Sequence, residues 1–434
     1  MIFRKILHML PFAHFSCIIE SVLQRKGIIL MNLLYRLFCR TYQGVFRLML
    51  PILPYREPEC LKSVQDLGPL MLSLKPSAAL LVTDKFLRQS GMTQEIEDVL
   101  QKAQVKCVIY DETQPNPTVK NVEDARKLYV ENNCGCIIAL GGGSAMDCAK
   151  GVGARIAYPN KTLAQLKGLL RVLRPIPPLV AIPTTAGTGS EVTLAAVLTD
   201  HETRHKYPMN SFTLIPRYAV LDPVFTRSLP PHLTASTGMD ALTHAVEAYI
   251  GRSTTKETRA LALEAVQLIF ENLENAYRNG DDMVARRRML RAAYAAGIAF
   301  SKSYVGYVHA VAHSLGGQYN LPHGLTNAVL LPYVLDAYGS AVHEKLRDLA
   351  VAAGIAKKSE SPAAAAGKFI AAVRGMNQRM GIPETLKGIR REDIPMMAAH
   401  AAREANPLYP VPVLMDQSAL ASFYEKVADW RETP

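Results

Sequence analysis

Two pairs of residues spaced four apart open the chemistry of this chain. Asp240 and His244 lie in Gly238-Met-Asp-Ala-Leu-Thr-His-Ala-Val-Glu-Ala248, and His309 and His313 lie in Tyr307-Val-His-Ala-Val-Ala-His313. A spacing of four puts both members of a pair on one face of a helix. His323 follows in Leu321-Pro-His-Gly324. Imidazole and carboxylate together suit Fe(II), Zn(II), Mn(II) or Co(II), and no thiolate is implied. Cys134-Gly-Cys136 is the rival metal pair, but it has no second Cys/His pair at finger-like spacing and sits at the start of an apolar strand. Both cysteines read as core residues.

A second kind of chemistry is written in two glycine-bearing loops. Gly141-Gly142-Gly143-Ser144 stands between an apolar run and the start of a helical pattern near Ala145. Backbone N–H groups at such a helix start attract phosphate, and glycine keeps Cβ atoms out of the way. Pro183-Thr184-Thr185-Ala-Gly187-Thr188-Gly189-Ser190-Glu191 also follows a strand and offers hydroxyls to a pyrophosphate or a nicotinamide ribose. Two such loops in one domain predict a dinucleotide. Asp84, at the end of the first strand, suits a ribose diol and repels a 2′-phosphate, which favours NAD over NADP. The competing reading of Asp84 is a helix cap.

The elements that must position these residues alternate. Strands are predicted at 78–83, 105–110, 135–140, 178–182 and 218–221, with helices at 93–103, 121–132 and from Ala145 onward; this grammar indicates an α/β domain with a parallel sheet. Beyond about Thr226 strand candidates disappear, and 233–250, 256–278, 283–301, 341–354, 361–380 and 415–429 have helical spacing. With 434 residues, more than one core usually serves, two domains are expected. The divisions read as 1–56, a basic amphipathic extension; 57–226, an α/β dinucleotide-binding domain; and 227–434, an all-α domain that binds metal and substrate.

Charge separates the extension from the rest. The net charge is +11, yet residues 1–56 carry Arg4, Lys5, Arg25, Lys26, Arg36, Arg40, Arg47 and Arg56 against the single acid Glu20. The body is close to neutral for its size, so a nucleic-acid partner is not expected. In 31–50, Asn32, Arg36, Arg40, Gln43 and Arg47 fall within about 80° of one another on a helix. Three arginines, at roughly 2.5–3.5 kcal/mol each near a bilayer centre, argue against a membrane span. The segment is expected to lie on a membrane surface, on a microcompartment shell or on a neighbouring subunit, or to pack as an arm on its own domain. Residues 1–30 lack a small-residue cleavage site, Met31 is a candidate start, and seven scattered cysteines read as reduced thiols, so a cytoplasmic protein is expected.

Ile138-Ala-Leu-Gly-Gly-Gly-Ser-Ala-Met-Asp-Cys-Ala-Lys150, Ile182-Pro-Thr-Thr-Ala-Gly-Thr-Gly-Ser-Glu-Val-Thr193, the 238–248 segment and His309-Ala-Val-Ala-His-Ser-Leu-Gly-Gly…Pro322-His-Gly324 resemble the iron-dependent (group III) alcohol dehydrogenases from about residue 76 to the end. Within that family the chain looks closer to propanediol, lactaldehyde and ethanol oxidoreductases than to glycerol dehydrogenases. The resemblance implies the dehydroquinate synthase-like architecture of the family and a homodimer or larger assembly. It implies that Asp240, His244, His309 and His323 bind the divalent metal, with His313 beside the substrate as the catalytic candidate. It also implies that Asp84, Asn116, Gly142, Gly143, Ser144, Thr184, Thr185, Thr188, Thr193 and Lys206 serve NAD. The extension has no counterpart in the family pattern.

The expected reaction is NAD(H)-dependent oxidation of short primary alcohols or diols, or the reverse reduction of aldehydes, with Fe(II) or Zn(II) polarising the substrate oxygen. A hydroxyacid–oxoacid transhydrogenase of the same fold and an anchored non-catalytic homologue are the alternatives.

Overall fold

The computed structural model describes residues 28–199 and 206–430, with side chains omitted for 28–32, 51 and 206. Six strands form one sheet in the order β1 (Glu59–Leu61), β9 (Tyr218–Val220), β6 (Leu179–Pro183), β4 (Cys136–Gly141), β2 (Ala78–Val82) and β3 (Lys106–Tyr110). Every pairing is parallel. β2, β4, β6 and β9 are buried along their whole length, as strands covered on both faces must be, which explains their continuous apolar runs. β5 (Gly168–Leu169), β7 (Ala195–Thr199) and β8 (Lys206–Asn210) make a separate three-stranded sheet, which the apolar pattern did not announce.

The helices begin with α1 (Ile28–Met49), followed in the α/β domain by α2 (Leu67–Leu74), α3 (Lys85–Gln89), α4 (Gln94–Lys102), α5 (Val119–Glu131), α6 (Gly143–Ala157) and α7 (Leu163–Leu166). Local chemistry sets their starts. Thr118 and Asn121 form a reciprocal capping box on α5, satisfying two of the amides that a helix start leaves without partners.

The helical domain contains α8 (Pro231–Ile250), α9 (Lys256–Arg278), α10 (Met283–Ser303), α11 (Tyr307–Tyr319), α12 (His323–Tyr338), α13 (His343–Ala352), α14 (Pro362–Arg379), α15 (Ile394–Ala405) and α16 (Gln417–Val427). α8 is buried nearly all round from Thr234 to Ile250 and packs against α9, α10 and α12. It is the central rod of the domain. Its small residues (Ala235, Gly238, Ala241, Ala245 and Ala248) are what allow neighbours on every side.

α1 packs on its own chain, and its orientation is the unexpected part. The polar face turns inward. Arg36 donates to the Leu414 carbonyl, Arg40 to those of Val411 (2.7 Å) and Pro412 (2.9 Å), and Gln43 to those of Pro407 and Tyr409. Cys39 is fully buried and Phe46 meets Tyr304 edge-on at 4.9 Å. Residues 1–27, with their charged start, lie outside the described residues.

Candidate metal centre and cofactor cleft

The loops that leave the C-terminal ends of the parallel strands converge, as ligand-bearing loops of open α/β sheets do. Gly142 is the N-cap of α6 and has no side chain to occupy the first amides of that helix. Gly143 lies so close to Thr188 that a Cβ would come within 3.2 Å of its side chain, and one on Gly142 would reach Thr185 at 3.4 Å. Thr184 is tied to the first loop by its amide, which donates to the Gly141 carbonyl at 3.1 Å. The two glycine-bearing loops therefore face each other across a narrow gap. Ser144 Oγ accepts from the Asn116 amide at 3.3 Å, which brings the 111–118 turn to the same place.

Other cofactor candidates are placed differently. Asp84 caps α3, accepting from the Leu87 amide at 2.9 Å through Oδ1, so the capping reading of that residue is observed. Thr193 is buried, and its Oγ1 accepts from Lys150 Nζ at 3.0 Å, so it supports the loop from behind. Lys206 opens β8, and its side chain lies outside the described residues.

Behind the loops sits a buried polar cluster that motif reading alone did not single out. Lys150 Nζ donates to Ser190 Oγ, Thr193 Oγ1 and the carbonyls of Thr193 and Ala195, all within 3.0 Å. Asp147 accepts from Ser190 Oγ and from the Val197 amide. Burial pushes Lys150 down to about 8 and Asp147 upward, while their mutual attraction opposes both shifts. This cluster fixes α6 to the 190–195 segment, and hence one loop to the other. Gly189 (φ +61°) approaches Gly297 of α10 so closely that a Cβ would lie 2.8 Å from its Cα. That contact seats the second loop directly on the helical domain.

On the helical side, α8, α11 and α12 deliver four side chains to one point. One ligand-type atom each from Asp240, His244, His309 and His323 lie within 4.8 Å of one another. His323 Nε2 is 3.5 Å and His309 Nε2 3.9 Å from Asp240 Oδ1. The approach of α12 to α8 depends on Gly324, where a Cβ would stand 2.5 Å from the Ser236 carbonyl oxygen. His244 stacks on Phe300 at 4.1 Å and on His309 at 4.5 Å. The backbone of Gly187, in the second loop, lies against His244. Cofactor loop and histidine cluster are therefore contiguous.

The donor set fits a divalent cation on its own chemistry. Burial holds His244 and His309 below the ordinary imidazole value, and it lowers His323 to about 4 against the pull of Asp240. Burial thus favours the neutral ring at all three, the form whose lone pair ligation requires. His244 Nδ1 is buried with no hydrogen-bond partner. Acceptors converging on one point need a positive group among them. Asn327 Nδ2 supplies partial positive charge there, 2.7 Å from Asp240 Oδ1, 3.0 Å from His323 Nε2 and 3.2 Å from His309 Nε2.

Three supporting residues were not singled out from sequence. Glu247, buried, sits 2.6 Å from His309 Nδ1 and accepts from the amides of Gly306 and Val308 at 2.7 and 2.8 Å. Its spacing after Asp240 and His244, one face of α8, was a usable signal. Asn327 follows His323 by four residues and was legible in the same way. Glu404, on α15, was not: it sits 2.6 Å from His313 Nδ1 and accepts from Tyr409 Oη at 2.7 Å. His313 is outside the convergent set, stacked on His323 at 5.2 Å. Burial alone would lower His313, but the carboxylate of Glu404 outweighs it and raises the ring above its ordinary value.

Cys134 and Cys136 are both buried, and Cys136 Sγ lies 3.9 Å from Met71 Sδ; they are core residues. Every cysteine among the described residues is a free thiol.

Comparison with known proteins agrees with this architecture. The Iron-containing alcohol dehydrogenase family model matches residues 61–223, and the Fe-containing alcohol dehydrogenase family, C-terminal, matches residues 234–428. The chain is 42% identical over 332 residues to 1,3-propanediol dehydrogenase of Klebsiella pneumoniae, a match covering 76% of this chain and 86% of that one. A crystal structure of a 1,3-propanediol oxidoreductase superposes with a TM-score of 0.82 at 38% identity, covering 86% of this chain and 99% of the other. Sulfoacetaldehyde reductase from Bifidobacterium kashiwanohense, solved in complex with NAD+, superposes with a TM-score of 0.77 at 28% identity over 87% and 98% of the two chains. With both halves matched in order and at this level of identity, the chain is an oxidoreductase belonging to the iron-containing alcohol dehydrogenase family.

Proposed function

We propose that this chain is an NAD(H)-dependent, divalent-metal-dependent alcohol dehydrogenase or aldehyde reductase for short primary alcohols or diols, working in the cytoplasm as a homodimer or larger oligomer. The observation that carries the reading is the convergence of Asp240, His244, His309 and His323 beside the Gly187 loop. Fe(II) or Zn(II) suits that set, and when bound it supplies Lewis acidity that lowers the pKa of an alcohol hydroxyl or polarises a carbonyl. The dinucleotide-bound relative and the propanediol enzyme support NAD and a small hydroxylated substrate. The free thiols support a reducing compartment.

In this reading alcohol and NAD+ give aldehyde, NADH and a proton. The amides at the start of α6 and the Thr184–Thr188 loop bind the pyrophosphate and ribose. Asp84, with one oxygen on the Leu87 amide, keeps the other for the adenosine ribose and disfavours a 2′-phosphate. His313 receives the hydroxyl proton or shapes the pocket wall, and Glu404 holds its Nδ1 in place. Glu247 holds His309 by its Nδ1, and Asn327, whose Nδ2 meets Asp240 Oδ1 and the Nε2 atoms of His309 and His323, would yield those atoms to the bound metal.

The test is NADH formation with a panel of short alcohols and diols, using anaerobic apo-protein reloaded separately with Fe(II) and Zn(II), with NADP in parallel. Metal-dependent turnover with NAD is expected. Stoichiometric metal binding without turnover under any loading would overturn the reaction while leaving the fold unaffected.

A further inference from the structure

α1 lies outside the span matched by the family models, which begins at residue 61, and it is mounted the opposite way from an ordinary surface helix. Arg36, Arg40 and Gln43 are used on the chain's own carbonyls, and a sector of its apolar residues faces solvent. Leu33, Leu37 and Leu48 are 64, 62 and 79% exposed, and Leu34 and Val45 are half exposed. At 100° per residue these five fall in a single sector of about 120°. Arg36, Arg40 and Arg47 run along one border of that sector.

The charge on this face has one sign. Between residues 28 and 56 the chain has Arg36, Arg40, Arg47 and Arg56 and no acid. Arg47 also neighbours Lys345, Arg252 and Arg259, which together with burial push the Lys345 ammonium down to about 8. Asp348, which accepts from Tyr249 Oη at 2.8 Å, is an acid near the same edge. A second copy of α1 would bring only more positive charge to this edge. An anionic surface supplies the opposite sign and takes up the apolar sector at the same time.

We propose that α1 seats the enzyme on the surface of an anionic lipid bilayer, lying in the interfacial plane with Leu33, Leu34, Leu37, Val45 and Leu48 inserted and Arg47 at headgroup level. No described helix is long and apolar enough to cross a membrane, and the arginine border keeps this one at the interface. α1 needs no release from the enzyme to bind, because its bonds to the 407–414 segment come from the arginine border and from Gln43 beyond it, not from the leucine sector.

The experiment is flotation of the full-length protein with vesicles of phosphatidylcholine alone or with about 30% phosphatidylglycerol, at low and high salt. The protein is expected to float with the anionic vesicles, to float far less with the neutral ones, and to be released as salt rises. Leu37→Glu with Leu48→Glu should cut vesicle binding about tenfold or more, since each leucine then no longer leaves water, while alcohol oxidation is unchanged. Arg47→Glu should weaken binding to anionic vesicles alone. Absence of flotation with anionic vesicles, or a double variant that floats as well as the parent, overturns the proposal. So does a fall in oligomer mass in the double variant without any vesicle binding, which assigns the face to a second copy of the chain.

Discussion

Asn116 Nδ2 donates to Asn320 Oδ1 at 2.9 Å, joining the turn after β3 to the residue that ends α11. Both asparagines adopt left-handed backbone conformations, with φ of 60° and 54°, which asparagine tolerates better than most residues. The bond connects the two domains at the open side of the cleft, and Asn116 also meets Ser144 of the glycine loop.

Asn320→Ala should therefore loosen the cleft around a bound dinucleotide without touching the histidine cluster. Loss of one hydrogen bond, worth about 0.5–1.5 kcal/mol, predicts a rise in KM for NAD of roughly two- to tenfold with kcat nearly constant. Steady-state kinetics with NAD as the varied substrate checks this, and an unchanged KM would show that the bond has no part in holding the cofactor.

Glu247→Gln keeps the size of the side chain but removes the charge that meets His309 Nδ1. Outer partners of this kind set the orientation and basicity of a ligating ring, and their loss typically costs 10–100-fold in metal affinity. Competition with a chelator should show a weakening of about that size, with the far-ultraviolet circular dichroism of the parent retained.

Asp147→Ala leaves Lys150 buried without its carboxylate neighbour. It also removes the acceptor of Ser190 Oγ and of the Val197 amide; hydrogen bonds to a charged group are typically worth about 1.5–3 kcal/mol, so urea unfolding should show a loss of that order.

Lys345 gives a pH dependence of defined sign. Its folded pKa, pushed to about 8 by burial and by Arg259, Arg252 and Arg47, lies below the roughly 10.4 of an unfolded lysine. Between those values the unfolded chain binds more protons, so this residue's contribution to stability rises with pH across that window. Lys345→Met should remove the rise, visible as the difference between the two proteins' melting temperatures from about pH 8 to 10.

Much of this was legible from the chain alone, for reasons that can be named. β2, β4 and β6 are covered on both faces, so their strands appear as unbroken apolar runs such as Ala78–Val82, and the loops that follow them carry the glycines. Asp240 with His244, and His309 with His313, share faces because of helical spacing, and the structure brings Asp240, His244, His309 and His323 together. The partnership of His313 with Glu404 was not legible, because it joins α11 to α15 across separate helices. β7 and β8 escaped because a strand with an exposed face and a proline at 208 gives no continuous apolar run. The inward turn of α1 escaped for a further reason. Hydrophobic patterning assumes that the apolar face is the buried one, whereas here free carbonyls at 407–414 attract the arginines more specifically than solvent does.

That reversal changes what the N-terminal helix is for the rest of the enzyme. Segment 407–414 has little regular secondary structure, and the carbonyls of Pro407, Tyr409, Val411, Pro412 and Leu414 find their donors in α1. Within that segment Tyr409 holds Glu404, and Glu404 holds His313. α1 is thus a splint for that loop, and removing it would leave the carbonyls of Pro407, Val411, Pro412 and Leu414 without these donors, one short chain of contacts away from His313.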